Sequence, residues 1–211
     1  MRASHCILAF WLWLPSTAAL GATFIYEGYV AGVRVGSATV KLAIADARYQ
    51  VSGNAAADGV VEWFSDWRSE FAALGQLEAD APILSEYAYT QHDGKSRREV
   101  RVRDGRVRYR KNQRPPRNSP AFDSPDLLTA LFVQPRCKAR WWVNTGRRNY
   151  RLERRAADPD VCRYEVFDRH EESFRIDLVL GQRNGLTIPV AMTVRGLVRA
   201  RLVLVDALPA L

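Results

Sequence analysis

Cysteine, histidine and lysine are scarce. The 211 residues hold three cysteines, three histidines and only four lysines: Lys41, Lys95, Lys111 and Lys138. Past the first 21 residues only His92 and His170 remain, and neither stands at zinc-ligand spacing from Cys137 or Cys162. The chain has no Gly-x-Ser-x-Gly elbow, no His-Glu-x-x-His pair and no phosphate loop. It has no internal repeat and no low-complexity tract. It also lacks the run of about 20 apolar residues that a membrane-spanning helix needs. These gaps argue against the motif-defined hydrolases and nucleotide enzymes, and no catalytic residue, metal or cofactor is expected. A carboxylate pair of the glycosidase kind remains open, because distant strands would assemble it.

What is present is a globular composition. Hydrophobic residues make up 47% and charged residues 26%, which is outside the range of a disordered chain. The net charge is +8, and with so few lysines the excess is arginine. A basic surface favours anionic partners: acidic lipid, lipopolysaccharide or nucleic acid. Arginine in place of lysine is also the signature of a GC-rich genome.

The N-terminus reads as an export signal. Arg2 gives a positive start, Cys6 to Leu14 is a short apolar run ending at Pro15, and small residues follow as far as Gly21. Cleavage before Ala22 would leave residues 22–211 as a single domain and remove residues 1–21. Arg2 is the one charged residue lost, so the net charge falls to +7. Cys6 leaves as well, and Cys137 and Cys162 remain as an even pair in an oxidising compartment. A disulfide is the expected outcome, closing a loop of about 26 residues worth roughly 3–4 kcal/mol. Export places the protein in the periplasm and makes nucleic acid an unexpected partner.

The body of the chain alternates in short segments. Gly36, Ala38, Val40, Leu42 and Ile44 repeat with a period of two. Asp93-Gly94, Asp104-Gly105, Thr145-Gly146 and Asn184-Gly185 mark tight turns, since such pairs tolerate positive φ. Roughly ten or eleven strands follow one another, with Lys111 to Asp123 as a loop. Val60, Trp63, Phe64, Trp67 and Phe71 recur at helical steps, so a short helix is expected near Val60 to Ser65, then a strand through Phe71. A second helix is expected from Ser124 to about Phe132, with Ser124 as N-cap and Pro125 at the first position. The fold class is mainly β: an antiparallel meander curled into a barrel or half-barrel with two short helices, since a long meander curls to avoid exposed edges.

Certain residues recur in a familiar order: Tyr29, Gly36-Ser37-Ala38, Tyr49, Gly75, Tyr87, Asp126-Leu127-Leu128, Cys137, Tyr150, Cys162 and Pro189-Val190. From about Phe24 to Leu204 the chain resembles the proteobacterial exported proteins of domain-of-unknown-function family 3108. Thr145 and Ala191 depart from that pattern, which tends to have an aspartate and a basic residue there. The resemblance implies a periplasmic, β-rich protein with no established activity. Its outline is similar to the lipoprotein carriers of the Gram-negative periplasm, curved sheets around a greasy cavity.

Two residue sets could bind. Arg101, Arg103, Arg106, Arg108 and Arg110 share the outer faces of neighbouring strands, opposite Val100, Val102 and Val107. They are either a solvated face with arginine stems lying on the sheet or a grip for anionic headgroups. Trp63, Phe64, Trp67 and Phe71 are either ordinary core or the lining of an acyl cavity. Trp141 and Trp142 must point to opposite faces of a strand, with Trp142 the more exposed. His170, among Asp168, Glu171 and Glu172, reads as a charged turn. Three functions remain: a non-enzymatic binder of lipid or another amphiphile, with peripheral membrane contact; a scaffold docking an envelope protein; and a glycan or cell-wall hydrolase.

Overall fold

The computed structural model describes residues 20–59, 62, 65–78, 81–158 and 161–209. Residues 1–21, expected to act as an export signal, fall outside them except for Leu20 and Gly21. Of the short helix expected near Val60 to Ser65 only Glu62 and Ser65 are described, and Trp63 and Phe64 lie outside.

Among the described residues, fourteen strands form one antiparallel sheet. Β1 (Leu20–Val30), β2 (Val33–Ala45), β3 (Arg48–Ala57), β4 (Trp67–Leu77), β5 (Pro82–Asp93), β6 (Arg97–Arg103), β7 (Arg106–Lys111) and β8 (Arg117–Pro120) make one arm. Β9 (Arg140–Asn144), β10 (Asn149–Asp158), β11 (Val161–Phe167), β12 (Ser173–Arg183), β13 (Leu186–Arg195) and β14 (Arg199–Pro209) make the other. Each strand pairs with its neighbour in sequence, save at one place. Β1 pairs with β14, so the first and last strands lie side by side in the middle of the sheet. The edges are therefore β8 and β9, which the 121–139 segment connects.

That connection shapes the interior. It carries a short π-helical segment, Thr129–Val133, that packs against β3, β5 and β13. The sheet thus curls around its own crossover. Two apolar clusters result. One gathers Phe24, Tyr26, Val40, Tyr49, Val51, Ala73, Val100 and Ile188 with Leu128 and Phe132. The other gathers Ala130 with Trp141, Val143, Cys162, Tyr164 and Leu178. Leu131 packs against both.

The sheet is not closed by hydrogen bonds, since β8 and β9 do not pair. Closure comes from side chains. Gly146, at φ +71°, presses the β9–β10 turn onto the inner face of the first arm, where an added Cβ would lie 2.6 Å from Val100 Cγ1. Next to it the Arg147 guanidinium sits 4.7 Å above the Tyr109 ring, a cation–π contact.

Three expectations need correction. The described residues form fourteen strands rather than ten or eleven. The Lys111 to Asp123 loop contains a strand, β8, which pairs with β7 through Tyr109↔Arg117 and Arg106↔Pro120. It is a four-residue edge strand ending in proline, which blunts the edge. Ser124 is not the helix cap. Its hydroxyl bonds Asn149 Oδ1 at 3.1 Å, and Asp126 caps instead: Asp126 Oδ1 accepts from the N–H of Leu128 at 2.9 Å and of Thr129 at 3.1 Å. The first helical bond, Ala130 N–H to Asp126 O, has α spacing, and the next, Gln134 N–H to Thr129 O, has π spacing.

The expected disulfide is present. Cys137 and Cys162 are bonded, with Cα atoms 5.3 Å apart. The bond ties the crossover segment to β11, where Cys162 is fully buried.

Candidate functional site

Alternation along β6 and β7 builds the arginine face. Val100, Val102 and Val107 point inward and are buried, so Arg101, Arg103, Arg106, Arg108 and Arg110 point outward and are exposed. Register then decides which charges meet. Glu99 faces Arg110, Arg101 faces Arg108, and Arg103 faces Arg106.

The three rungs differ. Arg110 grips Glu99 through Nε at 3.0 Å and Nη2 at 2.7 Å, and Arg97 Nε adds a contact of 2.8 Å. Partial desolvation opposes the Glu99 charge, but the hydrogen bond and charge of Arg110, with Arg97 and Arg101 nearby, hold its carboxyl below the usual carboxylate range. Arg103 reaches Glu86 at 3.3 Å and Asp104 at 3.7 Å. Arg101, Arg106 and Arg108 have no carboxylate partner among the described residues. Arg101 and Arg108 stand opposite each other and, with Glu99 and Arg110, line a depression of about 180 Å³.

A larger depression, about 650 Å³, opens at the β6–β7 turn. Ile83, Leu84 and Phe122 supply apolar lining, and Asp104, Asp123 and Asn144 supply polar lining. Ile83 and Phe122 are exposed. From Arg101 to this turn is three residues, about 10 Å along a strand.

The aromatic set lies elsewhere. Trp67 and Phe71 share the inner face of β4 with buried Ser69 and Ala73. Phe71 packs against the first core cluster and lies against Gly53 on β3, the residue it faces in register. Trp142 is exposed on β9, while Trp141 is buried against Tyr164 with ring centroids 6.2 Å apart. The structure therefore does not bring Trp67, Phe71 or Trp142 to the arginine face. His170 lies in an exposed turn, where its N–H bonds Asp168 Oδ1 at 2.7 Å. Among the described residues no three His, Cys, Asp or Glu side chains converge as a metal site.

A buried polar cluster was not foreseen. Thr129 Oγ1 donates to Asp126 Oδ2, and Tyr49 OH lies 3.0 Å from Thr129 Oγ1. Thr129 has one hydroxyl proton and gives it to Asp126, so Tyr49 is the donor in the second bond. Burial raises the Asp126 carboxyl, against the lowering effect of its bonds to Thr129 and Leu128. Burial likewise pushes the Tyr49 hydroxyl up to about 12, and the Asp126 charge adds to the rise. The Tyr49 ring lies over Gly75, where a Cβ would come within 2.5 Å of it. Tyr49 and Gly75 are brought together with Asp126 and Leu128 by the fold. In space they converge on the foot of the helical segment. The one local hint was Asp-Leu-Leu-Thr, an Asx cap followed by a hydroxyl.

A single antiparallel sheet wrapped around an internal crossover, open at its edges and basic on one outer face, defines the class: a β-barrel-like protein. The chain is similar in fold to the crystal structure of a β-barrel-like protein of domain of unknown function DUF1849 from Brucella abortus. The TM-score is 0.50 at 12% identity, covering 92% of this chain and 100% of that one. That likeness shows the fold. No family model matches the chain. No curated protein matches it.

Proposed function

We propose that this is a non-enzymatic periplasmic protein that binds an anionic amphiphile, with the headgroup on the Arg101–Arg108 rung and the apolar part in the depression beside Ile83, Leu84 and Phe122. The observation that carries the reading is the rung itself. Like charges directly opposite on neighbouring strands are destabilising, and neither arginine has an ion-pair partner among the described residues, since Glu99 is taken by Arg110 and Arg97. A phosphate or carboxylate would remove that repulsion and accept two charge-assisted bonds, each worth about 1.5–3 kcal/mol. The Cys137–Cys162 disulfide suits an oxidising compartment, and the order of residues shared with family 3108 supports export.

The interior is a poorer place for a lipid than an open cavity would be, because the crossover segment and its two clusters occupy it. The site therefore sits at the rim and on the outer face. The test is an NMR titration with lysophosphatidylglycerol below its micelle threshold, with lysophosphatidylcholine and inorganic phosphate as controls. Shifts at Arg101, Arg108, Ile83 and Phe122 are expected with the anionic lipid, and the R101Q/R108Q pair should weaken binding at least about tenfold. Equal binding by that variant, or no shifts in the parent, would sink the proposal.

A further inference from the structure

The β13–β14 turn breaks the rule that turns are polar. It reads Arg195-Gly196-Leu197-Val198-Arg199, with Leu197 fully exposed and Val198 more than half exposed. The β1–β2 turn lies beside it, held by the Ala31 N–H bonded to Arg199 O at 3.0 Å. That second turn presents Val33, also more than half exposed. Two neighbouring turns thus carry three apolar side chains at one end of the paired central strands.

Cations stand just behind them. Arg199 and Arg201 have no carboxylate partner among the described residues. Arg195 is engaged by Asp177 at 2.6 Å, and Arg34 by Glu27 and Asp58, both at 3.1 Å. Arg199 and Arg201 line a depression of about 630 Å³ with Tyr29, Ala31, Gly32 and Val203. Along the strand, Arg199 trails Leu197 by about 7 Å and Arg201 by about 13 Å.

The geometry points to a membrane contact: Leu197, Val198 and Val33 enter an anionic bilayer surface, while Arg199 and Arg201 hold lipid phosphates. An interfacial element buries its apolar part about 5–10 Å into the headgroup boundary with cations at the phosphate level. Apolar tips with free arginines one to two residue pairs behind reproduce that layering. The tips project as separate turns rather than forming a flat patch, which suits a fluid surface better than the fixed face of a protein. The surface is independent of the amphiphile site. It belongs to β1, β2, β13 and β14, and register places it at the opposite end of the strands from the Ile83–Phe122 depression.

Co-sedimentation of the full chain with vesicles tests this. Phosphatidylcholine vesicles are compared with vesicles in which about a third of the lipid is phosphatidylglycerol. The chain should pellet with the anionic vesicles and be released near 1 M salt, where the screening length falls to about 3 Å. Leu197→Asp should weaken binding at least about tenfold at an unchanged melting temperature, since the side chain packs against nothing. The R199Q/R201Q pair should lose the preference for anionic vesicles. The proposal is overturned if the parent pellets with neither vesicle or if Leu197→Asp binds equally well. It is also overturned if that substitution converts a dimer to a monomer, because the tip would then be a contact between copies.

Discussion

Tyr49 and Thr129, eighty residues apart, are joined by a hydrogen bond of 3.0 Å that ties β3 to the helical segment inside the sheet. The bond ends a chain of donors: Tyr49 to Thr129, and Thr129 to the Asp126 carboxylate. Removing the first donor with Tyr49→Phe leaves the ring packed over Gly75 and deletes only the bond. The expected loss is about 0.5–1.5 kcal/mol, read by urea unfolding. A loss beyond about 3 kcal/mol would mean that the ring itself had moved.

Gly75 accommodates that ring. An alanine Cβ would meet Tyr49 Cε1 at 2.5 Å and the Ile83 carbonyl oxygen at 2.2 Å. The carbonyl belongs to a paired strand and cannot swing aside. Gly75→Ala should therefore cost about 1–3 kcal/mol. Combining it with Tyr49→Phe should recover little, because the backbone clash remains. Full recovery in the double variant would show that the side chain alone was the obstacle.

Asp126 makes stability depend on pH in an unusual direction for a carboxylate. Its folded-state pKa is raised, so the native protein holds the proton more tightly than the unfolded chain. Stability from this group is fully present below the unfolded pKa, about 4, and is lost as pH rises through the folded value. Asp126→Asn keeps an acceptor for the Leu128 and Thr129 N–H groups and does not titrate. The stability difference between parent and variant, followed across pH, should move in the variant's favour as pH rises from 4. A difference independent of pH would contradict the assignment.

The Arg101–Arg108 rung predicts stabilisation by a charge reversal. Arg101→Glu converts a like-charge pair into an ion pair across β6 and β7. The gain should be about 0.2–1 kcal/mol at low salt and should shrink as salt is added. A melting temperature that falls, or rises independently of salt, would show that the rung is not repulsive in the free protein.

Reduction of Cys137–Cys162 should lower stability by about 2–4 kcal/mol, because the released loop regains its unfolded-state freedom. Cys137→Ser should do the same and render the chain prone to proteolysis. An identical melting temperature with and without reductant would show the bond to be idle.

Much of the fold is readable residue by residue. Β6 runs from Arg97 to Arg103 as its alternation demands, and Asn184-Gly185 makes its turn with both residues at positive φ. Trp141 and Trp142 separate to opposite faces because adjacent strand residues must. Trp67 and Phe71 suit either kind of element: a four-residue step is even, so it stays on one face of a strand as well as of a helix. Β8 is hidden because Arg117-Asn118-Ser119-Pro120 has no apolar face, and its strand form rests on the edge that β7 offers. The Asp126 cluster is hidden for another reason. Its members come from β3, β4 and the crossover, and no local pattern relates Tyr49 to Thr129.

Local chemistry thus suffices for the strands other than β8, for the marked turns, for the outward face of the arginines and for the even pair of cysteines. These depend on period, on φ preference and on charge, all short-range properties. The three-dimensional arrangement sets the rest. The pairing of β1 with β14 puts the first and last strands in the centre of the sheet and turns the 121–139 connection into an internal post. That burial makes Asp126 a buried acid with a raised pKa rather than a surface cap. Register across β6 and β7 leaves Arg101 facing Arg108 while Arg110 finds Glu99. Pairings of this kind bring together residues that are far apart in the chain, and their energy exists only once the sheet has closed on itself.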